Sequence, residues 1–256
     1  MELAVVLMIV GLLLGGLLVP ISAQRDVEAI HGTEKALTEI REALIGFAVI
    51  NGRLPCPAQA SIVSGVANAG IEATTGSGAT LTCACATTIV HGVAQIGATP
   101  CSVAAAGDTV SGVLPWASLG LLETDAWANR YTYHVSTFFA RGVNPTQTLF
   151  GTSCSVTPGP ANAAFALCTP GGIDVFAASG GTALASQVPA IVVSHGKNGL
   201  GAYTQQGSQN TGGGSDETKN SDGDEIFVSN TSIDDQLIWI PLGILMGRMI
   251  SAAKLP

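Results

Sequence analysis

Charge is what this chain has least of. Asp, Glu, Lys and Arg make up 11% of its 256 residues, against about 25% in an average soluble domain. Only 10 residues are Lys or Arg, and the net charge is −8. Neutralising phosphates needs a basic face, so nucleic acid is excluded as a partner. Catalytic signatures are missing too. No serine sits in a Gly-x-Ser-x-Gly elbow, and His31, His91, His134 and His195 are scattered along the chain. Gly196-Lys197-Asn198-Gly199 lacks the upstream Gly and the following Ser or Thr of a phosphate loop. Nothing here reads as an enzyme. No Cys-x-x-Cys pair is present, which disfavours zinc. Long apolar runs are scarce as well: there is one, which excludes a polytopic membrane protein. Disorder is excluded by the 47% of hydrophobic residues.

The single run opens the chain. Leu3 to Gln24 holds 22 residues without a charge, long enough as a helix, about 33 Å, to cross a bilayer core of about 30 Å. A secretory signal peptide would start with a positive charge and have a shorter apolar core, whereas here Glu2 precedes the run. Charge resumes at Arg25 and Asp26, but helical periodicity continues. Val27, Ile30, Leu37, Ile40, Leu44 and Phe47 form one apolar stripe, with Glu28, Glu34, Lys35, Glu39, Arg41 and Glu42 opposite. Asn51-Gly52 predicts the helix end and Pro55 prevents resumption. Residues 1–52 therefore read as one helix of about 75 Å. Residues 1–24 are its membrane-spanning or assembly half, residues 25–52 its amphipathic half, and residues 53–256 a separate head. Pro20 should kink or locally open the helix, with Gly11, Gly15 and Gly16 weakening the turns before it.

The head is poor in charge. Between Leu54 and Ser194 the charged residues are Glu72, Asp108, Glu123, Asp125, Arg130, Arg141 and Asp174. Ser61–Thr80 and Thr99–Val113 read as loops and short strands. Tyr131, Tyr133 and Val135 alternate as a strand with one buried face, and Trp116 and Trp127 read as core residues. Val188–Ser194, Ile226–Ser229 and Leu237–Ile240 are strand candidates, and Leu242–Ala253 a short helix sharing Leu245, Met246 and Met249 on one face. Cys56, Cys83, Cys85, Cys101, Cys154 and Cys168 all lie beyond the apolar run, and their even number predicts disulfides, with 15 pairings open. Cys83 and Cys85 are too close to pair with each other. Seven carboxylates crowd into Ser215–Asp235, where Asn220, Asp222 and Asp224 stand at alternate positions, with Asp216 to close a site. Such an all-oxygen set suits Ca²⁺, the one candidate cofactor. The bland alternative is a solvated acidic loop.

The start MELAVVLMIVGLLLGGLLVP resembles the mature N-terminus of type IV pilins and type II secretion pseudopilins, with Glu2 at the family glutamate. The resemblance implies a leader peptide and three mature residues before Met1. Asp125-Ala126-Trp127-Ala128-Asn129-Arg130-Tyr131 resembles the Asp-x-Trp-Gly-Asn-x-Tyr stretch of pseudopilin heads, with Ala128 in place of Gly. Major pseudopilins carry calcium in a loop after a segment like Ser194–Tyr203, which strengthens the calcium candidate. The fold then expected is α+β and pilin-like: the long helix, apolar half plus amphipathic half, packed on an antiparallel β-rich head.

The function so implied is that of a structural subunit. It waits in the bacterial inner membrane, is extracted by an assembly machinery, and polymerises with copies of itself into an extracellular pilus or periplasm-spanning pseudopilus. Glu2 would neutralise a neighbour's N-terminal amine and fix the stagger. The alternative from another class is a monomeric membrane-anchored periplasmic binding module, a lectin or adhesin. A simple anchor has no need of the stripe reaching Phe47.

Overall fold

A computed structural model describes residues 2–90, 93–96, 99–100, 109–151 and 153–255; side chains at 2, 7, 9, 11–23, 85–90, 93–96 and 99–100 fall outside that description. Helix α1 covers Glu2–Asn51. The strands that follow are β1 (Thr74–Thr75), β2 (Thr82–Val90), β3 (Val93–Ile96), β4 (Thr99–Pro100) and β5 (Thr109–Val113). Then come α2 (Trp116–Leu119), β6 (Thr132–Ser136), α3 (Thr137–Ala140), β7 (Ile173–Phe176), β8 (Ala183–Val188) and β9 (Ala190–Ser194). The chain closes with α4 (Ser215–Lys219), β10 (Ile226–Val228), β11 (Gln236–Trp239) and α5 (Leu242–Ser251).

Among the described residues the main sheet runs β1-β2-β3-β5-β6-β9-β11, with β4 beside β2, and a smaller sheet runs β10-β7-β8. The two sheets and the helices make three layers. Tyr133 and Val135 of β6, Val110 of β5 and Ala190 and Val192 of β9 share a core with Leu37, Ile40, Leu44, Ile45 and Ala48 of α1 and Leu245, Met246 and Met249 of α5. On the opposite face, Ile191 and Val193 of β9 pack on Ile173, Val175, Val188 and Phe227 of the small sheet. Strand alternation sends neighbouring side chains to opposite faces, so each face needs its own cover.

The chain is α+β, but the expected long helix packed on an antiparallel head is corrected in three respects. First, among the described residues no helix is long and apolar enough to cross a membrane. Second, α1 packs on the sheet only from Thr33 to Ala48. Val27 and Ile30, assigned to the buried stripe, are 51% and 40% exposed, while Ile45 and Ala48, outside it, are buried. Lengths explain this. Strands of four or five residues are about 15 Å long, whereas 50 helical residues extend about 75 Å, so most of α1 has no sheet beneath it. Third, the sheets are mixed: β3 runs parallel to β5, and β10 parallel to β7. Local opening at Pro20 is also not seen, since α1 is continuous from Glu2 to Asn51.

The helix stop is as the sequence has it. Gly52 takes a left-handed φ of +72°, and its N–H donates to the Ala48 carbonyl at 2.8 Å. A Cβ there would lie 2.3 Å from the Asn162 carbonyl oxygen, so glycine is required twice over. Strands β9 and β10 and helix α5 fall within the expected segments, and β11 starts one residue before the expected Leu237. Strand β6 departs from expectation: all five residues are buried, including Thr132, His134 and Ser136 on the face read as exposed.

The packing boundary on α1 is checked by two substitutions. Leu44→Ala, at a fully buried site, should lower unfolding free energy by about 2–5 kcal/mol. Val27→Ala should change it by less than about 0.5 kcal/mol. Urea unfolding of both variants measures this.

Candidate functional site

Scarce charge in the head is used structurally. Arg53 grips Glu72 with two hydrogen bonds, at 2.9 and 2.8 Å, and the Cys56 N–H donates to the same carboxylate. Arg130, with no exposed surface, donates to Glu123 at 2.8 Å and to the Ala60 and Gln205 carbonyls, and lies over the Trp116 ring. Arg141 donates to the Ala164 and Leu149 carbonyls between Phe138 and Phe150. Asp174 accepts from the Gln187 N–H. Trp116 is buried, as the sequence predicts. Trp127 is half-buried and lines a groove of about 350 Å³ with Asp26, Ile30 and Lys197.

The Asp125–Tyr131 stretch is a tight loop. One Asp125 oxygen accepts the N–H groups of Trp127 and Asn129, each at 2.9 Å. Ala128 sits at a left-handed φ of +66°, a conformation that costs a non-glycine residue about 1 kcal/mol. This loop clasps the Ser194–Tyr203 segment. Ser194 donates to the second Asp125 oxygen at 2.7 Å, Asn129 donates to the Gly196 carbonyl at 3.0 Å, and the Arg130 N–H donates to the Tyr203 carbonyl. Gly196, at φ +59°, has no room for a side chain, because a Cβ would come 2.3 Å from the Asp234 carbonyl. Burial raises the Asp125 carboxyl above its usual range, opposed by these hydrogen bonds.

The four candidate calcium ligands are not gathered round one point. Asn220 is fully buried, its amide spanning Val228 N–H, Val228 carbonyl and Asp235. Asp222 and Asp224 both accept from the Lys219 ammonium, at 2.9 and 2.7 Å. Those hydrogen bonds, the one to Asp224 foremost, hold Lys219 above its ordinary pKa. Asp216 binds the Ser179 N–H and Asn230 instead. Among the described residues no group of three or more His, Cys, Asp or Glu is placed to hold a metal ion. Calcium at Asp222 and Asp224 would have to displace Lys219.

Behind this segment lies a polar layer that periodicity did not single out. His134 Nε2 is 2.9 Å from Ser111 Oγ, and its ring meets Phe227 edge-on at 4.8 Å. His195 Nε2 is 2.8 Å from Thr132 Oγ1. Its Nδ1 lies 3.9 Å from Asp235, beyond hydrogen-bond reach. Thr132, His195 and Asp235 have the order hydroxyl, imidazole, carboxylate and are 4%, 0% and 7% exposed, with Asp235 bordering two surface grooves. Burial pushes His134 down to about 3 and His195 down to about 4, and pushes Asp235 up to about 7. A histidine at a polar-facing position of an apolar strand was the available signal for this layer.

Of the cysteines, Cys56 pairs with Cys83 and Cys154 with Cys168, and Cys83 does avoid Cys85. The Cys85 side chain and Cys101 lie outside the described residues, as do the side chains of Glu2, Gly11, Gly15, Gly16 and Pro20, the expected assembly residues. No family profile, characterised protein or solved structure matches this chain.

The polar layer makes stability depend on pH. Unfolded histidines, near 6.5, bind protons from pH 6.5 downward while folded His134 and His195 stay neutral to about 3 and 4. Folded Asp235 holds one proton up to about 7 that the unfolded residue releases above 3.8. Near pH 5 the unfolded chain therefore binds, from these three groups, one more proton than the folded one. Stability should fall on acidification from pH 6.5 towards 4, by about 1.4 kcal/mol per unit. Above pH 6.5 only the Asp235 contribution remains, and it lowers stability as pH rises to about 7. Urea midpoints between pH 4 and 8 test this, and His195→Gln should flatten the acid limb.

Proposed function

We propose that this chain is a structural subunit that assembles with copies of itself into a pilus-like filament through residues 3–24. The observation that carries the reading is apolar surface at the start of α1. Leu3, Val5, Val6, Met8 and Val10 are 79%, 56%, 55%, 68% and 43% exposed. Burying apolar surface is worth about 25 cal/mol per Å², so a segment of this composition is stable only when lipid or other chains cover it. A helix continuous through Asn51 supplies a rigid stalk between that segment and a disulfide-bonded head.

In this reading the subunit waits in the bacterial inner membrane, and an assembly machinery extracts it into an extracellular or periplasm-spanning bundle. There the apolar segments cover one another. Glu2, the acid just before this uncharged segment, sets register by pairing with a neighbour's N-terminal amine. An unpaired carboxylate in an apolar bundle costs several kcal/mol, so only the stagger that pairs it is stable. Gly11, Gly15, Gly16 and Pro20 let the segment adjust as it leaves the membrane.

Glu2→Ala tests the reading. The variant should accumulate in membranes at wild-type level while filaments disappear from sheared surface material viewed by electron microscopy. Filaments at wild-type yield would overturn it.

A further inference from the structure

The two disulfides of the described head stand in different surroundings. Cys56 and Cys83, 0% and 3% exposed, belong to the main core beneath α1. Cys154 is 1% exposed but belongs to a small satellite cluster with Phe150 and Ala166. Its partner Cys168 is exposed and lines a groove of about 620 Å³, whose walls include Val156, Pro160, Leu167 and the C-terminal residues Ala253 and Leu255. The groove is therefore a path from solvent to one end of the bridge.

We propose that Cys154–Cys168 is a reducible site, opened by a dithiol entering this groove, and that its reduction releases residues 155–162 while Ala163–Phe165 and the rest of the head stay folded. The exchange balances as follows. A thiolate of the dithiol attacks Cys168 Sγ, forming a mixed disulfide as the S–S bond breaks and Cys154 leaves as thiolate. The dithiol's second thiolate attacks its own sulfur in the mixed disulfide, and Cys168 leaves as thiolate. Two electrons pass from the dithiol, which becomes a cyclic disulfide, and both cysteines take up protons. Attack at Cys168 is favoured by access, since exchange rates depend on reaching the sulfur.

Release is local because few other contacts hold the segment. The Cys154 N–H donates to the Gly151 carbonyl, and the Phe150 N–H to the Cys154 carbonyl. Arg141 fixes the flanks by donating to Leu149 and Ala164. Between them the chain carries no helix and no named strand. Ala163, Ala164 and Phe165 belong to the main core with α1, and the Ala164 N–H donates to the Gly52 carbonyl at 2.8 Å, so the chain stays anchored from Ala163 onward.

Graded dithiothreitol on the folded full chain, followed by alkylation and peptide mapping, tests the proposal. Cys154 and Cys168 should label at least about tenfold faster than Cys56 and Cys83. Limited proteolysis should then cut within residues 155–162 in reduced protein only, with a cooperative melt retained. The Cys154→Ser/Cys168→Ser variant should fold and show the same cleavage. Labelling of all four cysteines together at the rate of global unfolding would overturn the proposal. So would absence of new cleavage after reduction, or failure of the double variant to fold.

Discussion

Burial of β6 on both faces is the constraint on which the rest of the head depends. One face, Tyr133 and Val135, meets the helix layer. The other, Thr132, His134 and Ser136, lies in the layer between the sheets. A strand in that position needs apolar partners on one side and complete hydrogen bonding on the other. Ser111, Thr132 and Ser136 meet most of that need, with Ser136 Oγ accepting the Gly172 N–H at 2.7 Å. Nδ1 of His134, Nδ1 of His195 and one oxygen of Asp235 are left without a partner. Burial is what holds these groups far from their usual ranges.

Low charge and loop-rich structure are two sides of one solution. A head with short strands and long connections has many backbone groups outside ladders. The few charged side chains act as multivalent fasteners for those connections. Arg130 joins the carbonyls of Ala60 and Gln205, 70 residues before it and 75 after it, and Glu72 ties the segment after α1 to the loop before β1.

Legibility in the sequence followed physical cause. The cap at Gly52, strand β9 and helix α5 depend on local chemistry and dense apolar patterning, and they were readable. The register of α1 was not, because Val27 and Ile30 fit the periodicity as well as Ile45 does. Only the extent of the sheet decides which are covered. The parallel pairs and the small sheet require long-range closure that no local pattern carries. The His134, His195 and Asp235 layer was missed because its members are 40 to 101 residues apart in sequence. In the acidic segment, alternate oxygens at Asn220, Asp222 and Asp224 read as ligands for a cation, and no local pattern showed that Lys219 sits between two of them.

A filament subunit needs a head that keeps its shape while its N-terminal segment changes surroundings. A helix whose buried contacts begin at Thr33, with the exposed Asp26–Lys197 ion pair before them, provides this, because what happens to the segment before Asp26 leaves the α1–β6 core untouched. Native-state hydrogen exchange of the isolated subunit tests that division most directly. Amides of Leu37–Ala48 and β6 should exchange only through global unfolding, and those of Val27–Ile30 at least about 100-fold faster. Uniform protection along α1 from Val27 to Ala48, or local exchange within β6, would contradict the account.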